Sequence, residues 1–229
     1  MKKRARSIEQ MLNDQITKWQ SQNTQRGARK SALRPVITIS RQPGSGGHEV
    51  ARRLAADLHL DLFDRELIQK VAESAQMSAA LVETLDEKWR STLEDWLGDW
   101  ADHHHLWIDD FQRHLLKVIR AIGEHGNAVI VGRGAHFILS CEECLRVRLI
   151  APDAAKISNI AGEMKVGLEE AQKHMTTIEA NQRAYIRKYF NADLSDPLHY
   201  DLVINTDKLS VDDAVETIKG ALHSWQKKK

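Results

Sequence analysis

At 229 residues, with 42% hydrophobic content and a formal net charge of +1, the chain is long enough for one sizeable α/β domain with an appendage and too short for two full domains. Near-neutrality removes any whole-chain field argument for nucleic acid, and no run approaches the roughly eighteen consecutive apolar residues of a membrane span. A basic N-terminus followed by an amphipathic segment, where a signal peptide would have an apolar core, points to a cytoplasmic protein.

Ser7 with Gln10 reads as a capping box, and Ile8, Met11, Leu12, Ile16 and Trp19 then recur at helical spacing. This amphipathic arm is followed by "SQNTQRGARKSALRP", which is polar, basic and without apolar periodicity, so it reads as a linker that stops at Pro35. Residues 1–34 carry nine Lys/Arg against two Asp/Glu. The arm is expected to pack back on its own domain; pairing with a second copy to give a homodimer and docking on an acidic surface are the alternatives.

From Pro35 the pattern becomes that of strands alternating with helices. "VITIS" at 36–40 is a β-branched run between Pro35 and a glycine cluster, as expected of a buried parallel strand. Val50, Ala51, Leu54, Ala55 and Leu58 then form one helix face, "LDLF" at 60–63 a second strand, and Leu67, Ile68, Val71 and Ala75 a helix behind Asp64. Ser78 is expected to open one long helix with Leu81, Val82, Leu85, Trp89, Leu93 and Trp96 on one side, and another carries Trp107, Phe111, Leu115, Val118 and Ile122. This tryptophan-rich block at 78–125 reads as a packed helical insert, not an aromatic binding box. "AVIV" at 128–131, "RVRLI" at 146–150 and "DLVIN" at 201–205 complete five strands, with a polar helical region at 153–190 and a last helix capped by Ser210 with Asp213. Strands alternating with helices in this way predict an α/β fold with a mostly parallel five-stranded sheet covered on both faces.

Two clusters invite a metal reading and do not sustain it. Cys141 and Cys144 form a single C-x-x-C with no second pair, and are read as two loosely placed thiols. The adjacent histidines 103–105 do not share a helix face and are read as loop.

The chemistry lies in "SRQPGSGGHEV" at 40–50. A strand, a glycine turn and a helix in that order build an anion site, because the turn's N–H groups and the helix's positive end converge. A standard phosphate loop, G-x-x-x-x-G-K-[ST], uses its lysine on the β/γ-phosphates and its hydroxyl on Mg²⁺. Laying Gly46 on the last motif glycine puts Gly47 at the lysine, Glu49 at the hydroxyl and Arg41 at the first glycine. Arg41 can present a planar fork to phosphate in place of the lysine, and Glu49 can offer Mg²⁺ a hard oxygen, directly or through water.

"ITISRQPGSGG", "LFDRELI" and "VIVGRGA", in that order, resemble the cytidylate-kinase-like branch of the P-loop nucleoside monophosphate kinases, over about residues 36–220. The resemblance implies a P-loop kinase-like three-layer fold with a 2-3-1-4-5 parallel sheet, ATP as donor with Mg²⁺, a small monophosphate acceptor with CMP or dCMP the first guess, and an arginine-rich lid. On it, residues 35–226 are the kinase-like domain, 78–125 is an acceptor-side insert whose helices exclude water from the transfer, and about 153–190 is the lid. The glycine loop maps onto Arg41, Gly44, Ser45, Gly46, Gly47, His48 and Glu49, with Ser40 where the kinases often have aspartate. Asp64 and Arg65 fall at the acceptor segment, where only Asp64 matches the family residue. Arg133 matches the arginine that holds acceptor phosphate, while Gly134 stands where that motif has its aspartate. Arg183 and Arg187, one turn apart in "NQRAYIRKYF", are the lid arginines, able to close over the transferring group; a solvated basic helix face is the alternative. Asn205 and Thr206 stand beside the adenine side, a place a strand-ending turn also explains.

Two other functions fit parts of the pattern. A loop without lysine and hydroxyl suits a catalytically inactive nucleotide-binding regulator or sensor. The basic arm by itself would suit a tether to nucleic acid or an acidic membrane, but its length and its near-neutral partner domain make that the weakest of the three.

Overall fold

The β-branched runs become strands because turn residues bound them and neighbours bury them: β1 (Val36–Arg41), β2 (Asp61–Phe63), β3 (Ala128–Val131), β4 (Leu145–Ile150) and β5 (Leu202–Asn205). The computed structural model describes residues 8–24, 34–85, 87–104 and 109–227. Its strands form one sheet in the order β2-β3-β1-β4-β5, every neighbouring pair parallel, which is the order expected from the sequence. The chain divides into two compact units, Pro35–Asp64 with Asn127–Lys229, and Met1–Arg34 with Arg65–Gly126.

The first unit carries the sheet. Ile37, Ile39, Val147, Leu149 and Ile204 bury against Val50, Ala51 and Leu54 of α2 (Gly47–Asp57) and Ala214, Val215, Ile218 and Leu222 of α10 (Val211–Gln226). Each such side chain contributes about 1.5–3 kcal/mol relative to exposure. The capping box that opens α10 forms as its spacing predicts: Ser210 Oγ accepts the Asp213 N–H at 3.1 Å, and Asp213 Oδ2 accepts the Ser210 N–H at 2.9 Å. The polar region at 153–190 is two helices, α8 (Asp153–Met164) and α9 (Leu168–Phe190). Lys165 turns left-handed at φ 57°, and the Val166 N–H returns to the Ala161 carbonyl at 3.1 Å, which closes α8.

Strand alternation sends the other side chains of β1 and β4 to the face away from α2. Short α7 (Ala135–Ile138) lies on that side, and its His136 is 5% exposed, with its ring centroid 4.1 Å from Phe137 and 4.9 Å from Tyr200. Burial, followed by the charges of Arg148, His199 and Arg146, holds this imidazole neutral with its pKa lowered to about 3.

In the second unit α1 (Ile8–Thr24) runs four residues into the stretch expected to be linker; Ser7, residues 25–33 and Trp107 lie outside the described residues. Trp19 is 1% exposed and stacks on His125 with ring centroids 4.0 Å apart and planes 8° from parallel. His125 closes α6 (Asp110–His125), and its Nε2 lies 2.7 Å from Thr84 Oγ1. The arm therefore packs on its own chain, the Trp19–His125 stack being among its contacts. The single helix expected from Ser78 is instead two, α4 (Ala75–Val82) and α5 (Glu87–His104), after α3 (Arg65–Glu73). Ser74, not Ser78, is the cap, its hydroxyl accepting the Met77 N–H at 3.3 Å, while Ser78 is buried and lies 3.2 Å from His114 Nδ1. Residues 103 and 104 continue α5 where loop was expected, and His105 lies outside the described residues.

Two outcomes follow from these contacts. Trp19→Ala removes a fully buried ring and is expected to cost about 3–5 kcal/mol in equilibrium urea unfolding followed by circular dichroism; an unchanged midpoint would contradict the stack. For His136 the folded pKa lies below the ordinary value of 6.5, so between about 6.5 and 3 the unfolded chain binds more protons. Its contribution is complete above about 6.5 and is lost as pH falls, with a slope approaching about 1.4 kcal/mol per pH unit. Unfolding free energies measured at a series of pH values should show that loss in the wild type and a flatter profile in His136→Phe.

Candidate active site

The glycine loop leaves β1 at Arg41 and enters α2 through Gly46, which caps it in the left-handed region at φ 71°. Its carbonyls are tied inward. The Ser45 N–H and hydroxyl both donate to the Gln42 carbonyl at 3.3 and 2.8 Å, Asn159 Nδ2 donates to the Gly44 carbonyl at 2.8 Å, and the Thr206 hydroxyl donates to the Ser45 carbonyl at 3.0 Å. Gln42 fastens the loop to the end of β4, its N–H donating to the Leu149 carbonyl at 3.0 Å and its Oε1 accepting the Ala151 N–H at 3.0 Å. With the carbonyls engaged, the first-turn N–H groups of α2, at Gly47, His48 and Glu49, have no partner within the helix and supply the positive end of an anion cradle.

Arg41 is in phase with Ile37 and Ile39, so its side chain leaves the strand on the α2 face. It runs across Gly47. A Cβ on Gly47 would stand 2.6 Å from Arg41 Cβ, 3.1 Å from Cγ and 3.2 Å from Cδ, and a Cβ on Gly132, just past β3, would stand 3.1 Å from Nη1. The guanidinium thus spans from the first turn of α2 to the end of β3. The two departures from a standard phosphate loop, arginine for the first glycine and glycine for the lysine, are one compensated exchange: Arg41 occupies the space a side chain at position 47 would need.

Glu49, at the hydroxyl position, has both oxygens engaged. Oε1 accepts from Arg52 Nη2 at 2.6 Å and Arg53 Nε at 3.1 Å, and Oε2 accepts from Arg52 Nε at 2.9 Å; Arg53 also reaches Asp212. Hydrogen bonds from Arg52, then Arg53, hold its carboxyl well below the usual range, at about 2. Among the described residues no three His, Cys, Asp or Glu side chains come together as a metal site. The residues present therefore fit Mg²⁺ only in the way it usually sits beside phosphates, with one or two carboxylates plus water and phosphate oxygens, and Glu49 would have to exchange an arginine to serve.

The sheet brings Asp64 and Arg133 to the same C-terminal edge as the loop, Asp64 directly after β2 and Arg133 after β3 in a left-handed turn at φ 54°. Arg65 is exposed and begins α3 in the other unit. Gly134 is a close approach to an aromatic: a Cβ there would stand 2.5 Å from two ring atoms of Phe190, the last residue of α9. An aspartate at 134 would need that ring to move.

Arg183 and Arg187 are exposed on α9, and Arg183 Nη1 lies 3.4 Å from Glu179 Oε2. Glu179 Oε1 also holds Lys156 Nζ at 2.6 Å, with Asp153 Oδ1 2.8 Å from the same ammonium. Burial pulls the Lys156 pKa down, but the pairs with Asp153 and Glu179 outweigh it and raise it overall. Its backbone lies on the loop, the Lys156 carbonyl 2.5 Å from where a Gly44 Cβ would be. Sequence reasoning missed Lys156; its one signal is the Asp153–Lys156 spacing at the start of a helix. Thr206 sits at the site but acts as a brace, sharing its hydroxyl proton between the Ser45 carbonyl and that of Ile150 at 3.1 Å, and Asn205 turns its Oδ1 to the Asp207 N–H at 3.0 Å. Of the two thiols, Cys141 is exposed and Cys144 buried, and burial pushes the Cys144 thiol up to about 12.

The placement of Arg41 is testable through stability alone. Gly47→Ala should cost about 1–3 kcal/mol by overpacking against Arg41 Cβ. In an Arg41→Gly background, which removes that Cβ, the same change should be neutral or stabilising by up to about 1 kcal/mol, because alanine is the better helix former. A double-mutant cycle of thermal unfolding with no coupling would contradict the contact.

Residues 36–208 match the model of the cytidylate kinase-like family. A cytidylate kinase of Desulfurococcus amylolyticus is 30% identical over 194 residues, covering 84% of this chain and 95% of that one. A cytidylate kinase of Methanopyrus kandleri is 25% identical over 197 residues, covering 82% and 92%. Among solved structures, an uncharacterised protein from Eubacterium ventriosum aligns with a TM-score of 0.69 at 24% identity, over 84% of this chain and 99% of that one, a likeness of fold. With the family's motifs in order along a 2-3-1-4-5 parallel sheet, and Arg41 seated on the glycine loop, the chain belongs to the cytidylate kinase-like family.

Proposed function

We propose that this protein is an ATP-dependent nucleotide kinase that passes the γ-phosphoryl group of ATP to a small monophosphate, with CMP and dCMP the first acceptors to try. The observation that supports the reading is the path of Arg41 across Gly47, with its Nη1 at Gly132, which brings a permanent cation beside the glycine loop. The α2 N–H groups cradle the donor phosphates, and Arg41 bears on their β/γ oxygens. Asp64 and Arg133, at the same edge of the sheet, receive the acceptor, Arg133 on its phosphate. Arg183 and Arg187 close over the transferring group once Arg183 leaves Glu179, and spread positive charge across its equatorial oxygens. Mg²⁺, when bound, neutralises phosphate charge, with Glu49 the nearest carboxylate for it. Transfer then relies on in-line positioning and charge neutralisation, not on a protein base. The Phe190 ring against Gly134 takes the place of an aspartate side chain, so the acceptor's base meets an aromatic surface there.

The test is ADP release from ATP and Mg²⁺ across a panel of nucleoside monophosphates. Acceptor-dependent turnover is expected, falling about 10²–10³-fold in kcat/KM for Arg41→Ala and for Arg183→Ala with unchanged melting temperatures. ATP binding with no ADP release on any acceptor would contradict the kinase and leave a nucleotide sensor, a reading that the engagement of Glu49 by Arg52 and Arg53 would then explain.

A further inference from the structure

One buried charge in the sheet makes no direct ion pair among the described residues. β4 reads Arg-Val-Arg-Leu-Ile after Leu145; Val147 and Leu149 point to the α2 and α10 core, so Arg146 and Arg148 point to the opposite face. Arg146 is settled by Asp201, its Nη2 2.7 Å from Oδ1 and its Nε 3.2 Å from Oδ2. Arg148 is 6% exposed, two residues nearer the C-terminal edge, and in register with Ser40 of β1. Its Nη1 donates to Ser40 Oγ at 2.6 Å, and its Cζ lies 5.6 Å from the centroid of the Tyr200 ring. The Tyr200 hydroxyl, which donates to the Leu194 carbonyl at 2.9 Å, is its other oxygen partner. Both oxygens are neutral. Among the described residues no carboxylate pairs with Arg148, so five N–H donors and a full charge are buried against two hydroxyls and a ring. A buried guanidinium without a contacting anion is costly, and burial, opposed by Tyr200 and by the more distant charges of Glu179 and Asp193, lowers the Arg148 pKa.

A second, independent feature stands on the same ring. His136 packs on Tyr200, and its buried Nε2 has no hydrogen-bond partner among the described residues. A neutral imidazole nitrogen left unpaired beside a guanidinium that contacts only neutral oxygens leaves two polar groups open in one enclosed place. Arg41, one residue after Ser40, points to the other face, so the sheet separates this cluster from the glycine loop.

We propose that Arg148, Ser40 and His136 form a second oxyanion site, on the sheet face opposite α2, that takes the phosphate or carboxylate group of a small ligand. The planar fork of Arg148 matches two oxygens of such a group, and His136 Nε2 meets a third or a protonated oxygen. The inference does not rest on the kinase reading, since no nucleotide is needed to reveal it.

Thermal unfolding of the full chain is to be followed with inorganic phosphate, sulfate and acetate, against chloride at equal ionic strength, for wild type, Arg41→Ala and Arg148→Met. The wild type should gain about 5 °C at an anion concentration a hundred times its dissociation constant, saturably and beyond chloride. The gain should persist at least in part in Arg41→Ala and fall in Arg148→Met to what the glycine loop alone supplies, and the melting temperature of Arg148→Met without anion should match or exceed that of the wild type because an apolar side chain of similar length replaces a buried charge. Preference for phosphate and sulfate over acetate would assign a phosphate ligand, and the reverse a carboxylate. An equal gain in Arg148→Met, or no gain over chloride in the wild type, would overturn the proposal. Should Arg148→Met fail to fold, the side-chain ¹⁵N resonances of His136 in the wild type, assigned with His136→Phe, decide the matter: a saturable shift with phosphate supports the site and static resonances refute it.

Discussion

The structure of the loop depends on one contact, the side chain of Arg41 lying across Gly47. A standard phosphate loop sends its cation outward from the helix; here the cation comes from the end of β1 and must pass over the first residue of α2. Any Cβ at position 47 would stand 2.6 Å from Arg41 Cβ, which is too close to the backbone for the arginine to yield by changing only its tip. Arginine at 41 and glycine at 47 are therefore coupled choices. The bracing by Gln42, Asn159 and Thr206 has the same end, since it takes the loop's carbonyls inward while the N–H groups stay open to an anion.

Helices α8 and α9 are joined to that loop by charge and backbone together. Lys156 lies with its main chain against Gly44 and its ammonium between Asp153 and Glu179, and Glu179 also holds Arg183. A buried lysine shared by two carboxylates stays paired if one arginine departs, so Arg183 can leave Glu179 for a phosphoryl group without stranding a carboxylate. The exposed Arg183–Glu179 pair is worth little in stability, which suits a contact that has to open.

The sheet was legible in the sequence because parallel strands buried on both faces read as short β-branched runs between turn residues, as in "AVIV", every residue of which is buried. The Ser210 capping box was legible because its chemistry is local. What local reasoning lost were competitions between neighbours and contacts distant in sequence. The sequence points to Ser78 as the cap, but it is buried beside His114 and Ser74 caps the helix instead. Lys165 gave no glycine to mark the left-handed end of α8. In the site, the glycine loop and the role of Arg41 as a stand-in cation could be reasoned from side-chain chemistry. The Phe190 ring against Gly134, the pairing of Lys156 with Glu179 and the neutral surroundings that Arg148 contacts could not, since each is set by residues tens of positions away.

The central claim is that Arg41 replaces the lysine of a phosphate loop by occupying its space, and the most direct measurement is acceptor-dependent turnover in a cycle of Arg41→Gly, Gly47→Lys and the double variant. The account predicts that both single changes fail, the first for want of a cation and the second by collision with Arg41, and that the double variant recovers activity at least tenfold over either, a coupling of about 1.4 kcal/mol or more. A double variant no better than Arg41→Gly alone, with all three proteins folded, would contradict it.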